Sequence, residues 1–213
     1  ETLTRRLPLD ALHGKWAHFL VGQRRPYVDW KRLADVALVL LAAPLWLPVL
    51  GIVLLAVYLD DGGPVLFWQQ RVGQYKRPFR MAKVRSMRVG ADHDGPTFAG
   101  TNDPRVTRVG RFIRRYRLDE LPQFWNVLKG DMSLIGPRPE QLCFSEEFEQ
   151  RFPLYSLRYN LRPGITGWAQ VRQGYTADAD ETFGKLRHDL YYVRHVSPLL
   201  DAEIAVRTLG VLF

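Results

Sequence analysis

The hydrophobic pattern changes period several times along the chain. Leu33–Leu59 is almost continuously apolar: Asp35 is its only charge, and Val36–Val57 carries none. A run of this length meets the usual threshold of ~20 residues for a membrane helix. Pro44 and Pro48 interrupt it, and proline inside a helix deletes one hydrogen bond and collides with the carbonyl four residues back. A break at Pro48 leaves arms of Leu33–Leu47 and Val49–Leu59. These arms reach roughly 22 and 16 Å, each short of the ~30 Å hydrocarbon core. Lys31 and Arg32 precede the run and a strongly basic stretch follows it, so a straight span would set one basic flank on the wrong side of a bilayer. A helix–break–helix that enters and leaves on one face satisfies both flanks, provided the freed backbone groups find internal partners. A single span with a proline kink is the alternative.

Beyond this run the pattern shortens. Pro64–Gly73 and Phe79–Met87 read as two strands joined by a polar loop holding Gly73, Lys76 and Pro78. Period-two alternation in the second puts Phe79, Met81, Lys83, Arg85 and Met87 on one face. Lys83 and Arg85 then project about 7 Å apart, a spacing suited to neighbouring phosphates, or else serve as edge-strand charges. Asp92–Asn102 reads as a loop, and Arg105–Leu118 as a helix with Arg108, Arg111 and Arg115 on one face. Asp119 is placed to cap the next helix, with Pro122 in its first turn and Gly130 at its end. Pro137–Glu140 is a rigid turn from which Glu140 opens a helix through about Phe152, and Arg162–Val171 is a loop leading into a short strand. Asp178–Arg194 and Pro198–Phe213 have apolar faces at helical spacing, and the last fits a membrane interface. The fold class expected is α+β, predominantly helical, with a few short strands.

Composition narrows the class. A mean hydropathy of −0.19 excludes a polytopic membrane protein but not one membrane segment. With 213 residues the chain is one domain and an appendage, and its single cysteine, Cys143, excludes an intramolecular disulfide or a Cys-rich zinc site. The net charge of +8 is unevenly spread: residues 62–118 hold 13 Lys/Arg against 3 Asp/Glu, a block of +10. Such a block fits an anionic partner (phosphorylated substrate, nucleic acid or lipid headgroups) or a solvated basic face. Residues 1–30, basic and marked by Pro8 and Pro26, lack the apolar core of a signal peptide and read as a linker after a longer N-terminal part.

Asp119 and Glu120, adjacent at an expected helix start amid basic residues, are the leading chemical candidates. A helix N-terminus favours anions, an ionised Asp is a competent phosphoryl acceptor, and a neighbouring carboxylate suits a divalent cation. On these residues alone, ordinary capping is the plainer reading. His13, His18, His93, His188 and His195 lack metal-ligand spacing, and the last two fit a helix surface. No Walker A, GxGxxG or GxSxG pattern occurs. Trp68, Phe79 and Tyr116 lie among basic residues as in single-strand nucleic-acid binders, though aromatics at strand spacing are commonly core.

Several motifs, in order, resemble the bacterial sugar transferases, the monotopic polyprenyl-phosphate glycosyl-1-phosphate transferases. They are Lys31-Arg-Leu-Ala-Asp35, Gly63-Pro-Val-Leu-Phe-Trp-Gln-Gln-Arg-Val-Gly73, Lys83-Val-Arg-Ser-Met87, Arg117–Glu140, Arg162–Val171 and Asp189-Leu-Tyr-Tyr-Val193. The resemblance spans about Lys31 to Phe213. It implies a re-entrant membrane helix over residues 31–60 and a cytoplasmic catalytic domain over 61–213, after a linker at 1–30. It implies an enzyme at the cytoplasmic face of the bacterial inner membrane that moves a sugar-1-phosphate from a UDP-sugar to polyprenyl phosphate and releases UMP. Its partners would be those two substrates and the lipid bilayer, not nucleic acid; a homodimer stays open. The resemblance makes Asp119 the nucleophile, puts Glu120 at Mg2+, sets Lys83, Arg85 and Arg114 near the phosphates, and brings Arg138 to the nucleotide with Glu140 nearby. The membrane break, a Ser-Pro pair in the family, falls here at Leu47-Pro48, where the serine is missing.

Overall fold

The computed structural model describes Arg5 and residues 26–91, 103–152, 154–173 and 179–212. The expected loop at Asp92–Asn102 and most of the expected linker at 1–30 lie outside the described residues. Two helices open the described chain: α1 (Pro26–Leu41) and α2 (Ala43–Asp61). The apolar run is therefore broken at Ala42, not at Pro48. Pro44 sits in the first turn of α2, where its missing N–H has no intrahelical acceptor, so the second helix restarts just ahead of it. Pro48 is carried inside α2. The Ala42 N–H still reaches the Leu38 carbonyl at 3.0 Å, and Trp46 Nε1 donates back across the break to the Val39 carbonyl at 3.0 Å. By length and composition α2 is apolar enough to cross a membrane, and Leu45, Ile52 and Leu59 on it are exposed.

An antiparallel hairpin follows, β1 (Leu66–Val72) with β2 (Pro78–Val84), in which Phe67 pairs Lys83, Gln69 pairs Met81 and Arg71 pairs Phe79. These six share one face, and Phe79 and Met81 bury it against Val39 of α1 with Val127 and Met132. The sheet ends at Val84, which packs with Val53 and Val57 of α2 and with Ile113 of α3 (Arg108–Arg115). Arg85, beyond the strand, does not project beside Lys83 as the alternation predicts. Its guanidinium donates to Asp61 Oδ2 at 2.9 Å and to the Asp61 and Gly62 carbonyls at 3.1 and 2.6 Å, fastening the C-terminus of α2. Asp60 accepts from the Val109 N–H at 3.2 Å and Thr107 caps α3 through Gly110, so the foot of α2 and the start of α3 are joined.

A short 3₁₀ turn, Leu118–Glu120, leads into α4 (Gln123–Lys129), which Gly130 ends with φ +99°. The N-cap of α4 is Pro122, so Asp119 does not cap it as expected. Beyond lie β3 (Ser133–Ile135), α5 (Leu142–Arg151), β4 (Gly164–Thr166), α6 (Trp168–Gln173), α7 (Ala179–His195) and α8 (Pro198–Leu212). β3 and β4 pair in parallel, Ser133 with Gly164 and Ile135 with Thr166. A Cβ on Gly164 would fall 2.1 Å from the Gly136 N, so only glycine permits this approach. The short strand expected near Val171 is Gly164–Thr166 instead, and Ala169–Val171 is helical.

The C-terminal helices gather on Trp168, Tyr192, Val196, Leu200 and Ile204. They hold α1 through a buried polar knot. Asp201 accepts from Lys31 Nζ and Tyr27 OH, both at 2.6 Å on Oδ2, and from Tyr192 OH at 2.7 Å on Oδ1; Ser133 donates to Asp35 at 2.6 Å. One expectation about the histidines needs revision: His188 is buried rather than on a helix surface, whereas His195 stays partly exposed in the last turn of α7, stacked on Tyr191 with ring centroids 4.2 Å apart.

Candidate active site

After α3 ends, Arg117 takes a left-handed conformation (φ +56°), which costs a non-glycine residue about 1–3 kcal/mol. The 3₁₀ turn that follows is closed by the Glu120 N–H on the Arg117 carbonyl at 3.1 Å. Asp119 and Glu120 are both buried in it, at 8% and 7% exposure. Two carboxylates side by side and out of water require cations. Arg138 Nη2 donates to Glu120 Oε1 at 2.8 Å, Lys83 Nζ lies 3.7 Å from the same oxygen, and Arg117 Nη1 lies 3.9 Å from it.

The pair is electrostatically asymmetric. Burial alone would raise the Glu120 pKa, but Arg138, Lys83 and Arg117 outweigh it and hold the carboxyl down at about 2. Asp119 moves the other way: burial lifts it above the ordinary carboxylate range against the pull of Lys83, the neighbouring Glu120 adds to the lift, and Arg114 and Arg117 offset part of it. Lys83 is lowered by its own burial, which Glu120 opposes and Arg138 reinforces. Glu120 is thus locked as an anion by its partners, whereas Asp119 keeps reserve basicity.

This asymmetry fixes a sign in acid. The folded pKa of Glu120 is depressed, so its stabilisation is complete above its ordinary value near 4.5 and is lost as pH falls toward 2. The full contribution is on the order of 3 kcal/mol. Below pH 4.5 the melting temperature of the wild-type chain should fall more steeply than that of Glu120→Gln; parallel curves would contradict the ion-paired carboxylate.

The loop after β3 brings in the remaining candidates. Val72 N–H donates to the Glu140 carbonyl at 2.9 Å, so the Pro137–Glu140 turn is stitched to the end of β1. Arg158 is 4% exposed; it donates to Asp189 Oδ2 at 2.6 Å and to the Arg138 carbonyl at 2.8 Å, and lies 3.5 Å from Glu140. Glu140 therefore meets the structural cation Arg158. Of the residues the sequence singles out, Asp119, Glu120, Lys83 and Arg138 converge, and Arg114 lies within electrostatic reach of Asp119. Arg85 does not join them; it is taken by Asp61 at the foot of α2. Sequence reasoning passed over Arg71, Arg117, Arg158 and Asp189 as site residues. Pairing the two strands in register would have revealed Arg71 on the face that carries Lys83.

An apolar helix pair, a small mixed domain and a cation-ringed carboxylate pair near the foot of α2 thus form one described arrangement. The chain belongs to the bacterial sugar transferase family, whose pattern matches residues 27–213. Among its relatives is the UDP-N-acetylgalactosamine-undecaprenyl-phosphate N-acetylgalactosaminephosphotransferase of Aeromonas hydrophila, 47% identical over 209 residues, which are 98% of this chain and 49% of that protein. The UDP-glucose:undecaprenyl-phosphate glucose-1-phosphate transferase of Escherichia coli K12 is 44% identical over 84% of this chain and 39% of its own length. A protein of the same description from Caulobacter vibrioides is 41% identical, over 84% of this chain and 67% of its own. The chain spans about half of the first of these and less of the second.

Proposed function

We propose that this chain transfers a sugar-1-phosphate from a UDP-sugar to undecaprenyl phosphate, through a phosphosugar intermediate on Asp119, at the cytoplasmic face of the bacterial inner membrane. The observation that carries this reading is the buried Asp119–Glu120 pair, ringed by Lys83, Arg117 and Arg138, in a chain whose relatives are named for that transfer. An Asp119 oxygen attacks the sugar-bearing phosphorus, the bond from that phosphorus to the bridging oxygen breaks, and the electron pair leaves with UMP. A phosphate oxygen of the lipid then attacks the same phosphorus and returns the Asp119 carboxylate. No proton need move in either step. The raised basicity of Asp119 suits attack, and Lys83 draws charge off the phosphoryl oxygens.

Two adjacent carboxylates are a fitting donor set for Mg2+, which binds through one or two carboxylates together with substrate phosphates. Glu120 would hold it beside Asp119; the cationic contacts to Glu120 fall on Oε1. When bound, Mg2+ supplies charge neutralisation at the phosphates.

A break at Ala42, with Lys31 at the start of α1 and Asp61 at the end of α2 both ion-paired to the rest of the fold, supports a re-entrant anchor. Cysteines at Asp29→Cys and at the exposed native Cys143 should then react with an impermeant maleimide from the same side of sealed vesicles. The reaction itself is tested by incubating the nanodisc-held chain with Mg2+, undecaprenyl phosphate and UDP-sugars, UDP-N-acetylgalactosamine and UDP-glucose first. UMP release with at least one donor is expected; lipid-dependent turnover with no UMP would overturn the proposed chemistry.

A further inference from the structure

The site holds a cation that the proposed chemistry has not used. Arg71 lies on β1 two positions beyond Gln69, on the face that also carries Lys83. Its backbone forms an isolated bridge with Gln141, so it is wedged between the hairpin and the turn that presents Arg138. Its guanidinium donates to Gln69 Oε1 through Nε (3.1 Å) and Nη2, and to the Pro139 carbonyl through Nη1 at 3.1 Å. Among the described residues these are neutral acceptors only; no carboxylate lies within ion-pair distance of it. Burial, and then the neighbouring Arg138, depress its pKa to about 10, with Glu140 and Glu120 giving partial relief. A largely desolvated guanidinium beside another cation and without an anion of its own is costly unless an anion arrives.

Position says which anion. Lys83 and Arg138 meet on Glu120 Oε1 beside Asp119, and Arg71 neighbours Arg138. Lys83 lies two residues from Arg85, which fastens the foot of α2, and on the reading proposed above the lipid acceptor approaches from that side. Arg71 is four residues along β1 from Phe67, the partner of Lys83, or roughly 13 Å of strand toward the far end. A diphosphate donor with its sugar-bearing phosphorus at Asp119 would then extend its other phosphate away from α2, toward Arg138 and Arg71.

Resting on the reading proposed above, we infer that Arg71 contacts substrate, its guanidinium working with Arg138 to hold the nucleoside-bound phosphate, the one that departs as UMP. When the bond from the sugar-bearing phosphorus to the bridging oxygen breaks, that oxygen becomes a terminal oxygen of UMP and gains negative charge. Arg71 meets that charge as it forms, through charge-assisted hydrogen bonds that Gln69 and Pro139 pre-aim.

The test is the affinity of the full chain, held in nanodiscs, for UMP and for uridine. Arg71→Gln should weaken UMP binding about 30- to 100-fold and leave uridine within about threefold. Arg71→Lys, which keeps charge but cannot span both Gln69 and Pro139, should recover at least a third of that loss on a logarithmic scale. Wild-type affinity for UMP in Arg71→Gln would overturn the assignment while leaving the transferase reading intact. Equal losses for UMP and uridine in both variants would overturn it too, marking Arg71 as a brace for the loop. A wild-type chain that releases UMP from UDP-sugar yet shows no preference for UMP over uridine would also refute the subsite. A wild-type chain that neither binds UMP nor releases it would overturn the transferase reading and the subsite together.

Discussion

Asp119→Asn is expected to lower UMP release by at least about 10⁴-fold and to abolish any phosphosugar adduct in the intact mass of the protein. Asparagine matches aspartate in shape, and the side chain is only 8% exposed, so the fold and membrane association should survive. What vanishes is the anionic oxygen that would attack phosphorus. The pH profile supplies a second reading of the same residue. Burial raises the Asp119 pKa despite Lys83, and on the proposed reading the nucleophile is its carboxylate. The wild-type rate should therefore fall on acidification at a higher pH than an ordinary aspartate, near 3.9, would give. Retention of more than about a tenth of wild-type release by Asp119→Asn would refute the covalent route and move the search to direct attack by the lipid phosphate.

The second large effect is on stability and falls outside the carboxylate pair. Asp189→Asn should destabilise the chain by about 3–5 kcal/mol, because it strips the closest anion from a buried guanidinium. Arg158 and Asp189 are each 4% exposed at the side chain and meet at 2.6 Å. Burial would lower the Arg158 pKa, yet Tyr155, Asp189 and Glu140 lift it well above its ordinary value. With Asp189 neutral, Glu140 at 3.5 Å is the one carboxylate among the described residues that remains to offset the charge. For a chain of this size the loss corresponds to roughly 6–20 °C in melting temperature. The double variant Arg158→Met/Asp189→Leu, which removes both charges, should recover much of the loss. A shift below 2 °C for Asp189→Asn would show that Glu140 alone suffices. Activity should fall as well, since Arg158 also holds the carbonyl of Arg138 at 2.8 Å.

How much of this was legible in the residues varies with the range of the signal. The hairpin was readable because alternation and a Gly/Pro-marked loop are local, and α7 and α8 because their apolar spacing persists for several turns. The helix break was misread at Pro48 because two prolines four apart carry the same local penalty. What separates them is position: Pro44 falls in a first turn, where a missing N–H has no intrahelical acceptor, and Pro48 is absorbed within α2. Arg85 leaves the face of Lys83 because alternation holds only while the strand lasts, and β2 ends at Val84. Lys83, Glu120 and Arg138 could be collected only through the family's motifs, since 18 positions separate the last two. The pairing of Arg158 with Asp189, 31 positions apart, leaves no local trace. His188 looked superficial because a lone polar residue on a helix reads as a solvent face, whereas it is buried with Nδ1 3.3 Å from the Arg5 carbonyl.

The α1–α2 pair is fastened to the rest of the fold at both ends, at the start of α1 by Lys31 on Asp201 and at the end of α2 by Arg85 on Asp61. A body bolted twice to its own keel would, on the proposed reading, have a fixed draught: it could not rise or sink against the helix pair that would hold it in the lipid. On the proposed reading, the height of Asp119 above the acyl chains is then a built-in constant. It is the lipid phosphate that must climb to meet it. Turnover would then depend on how far the surrounding bilayer lifts or lowers that headgroup, so bilayer thickness would tune rate without touching a single side chain.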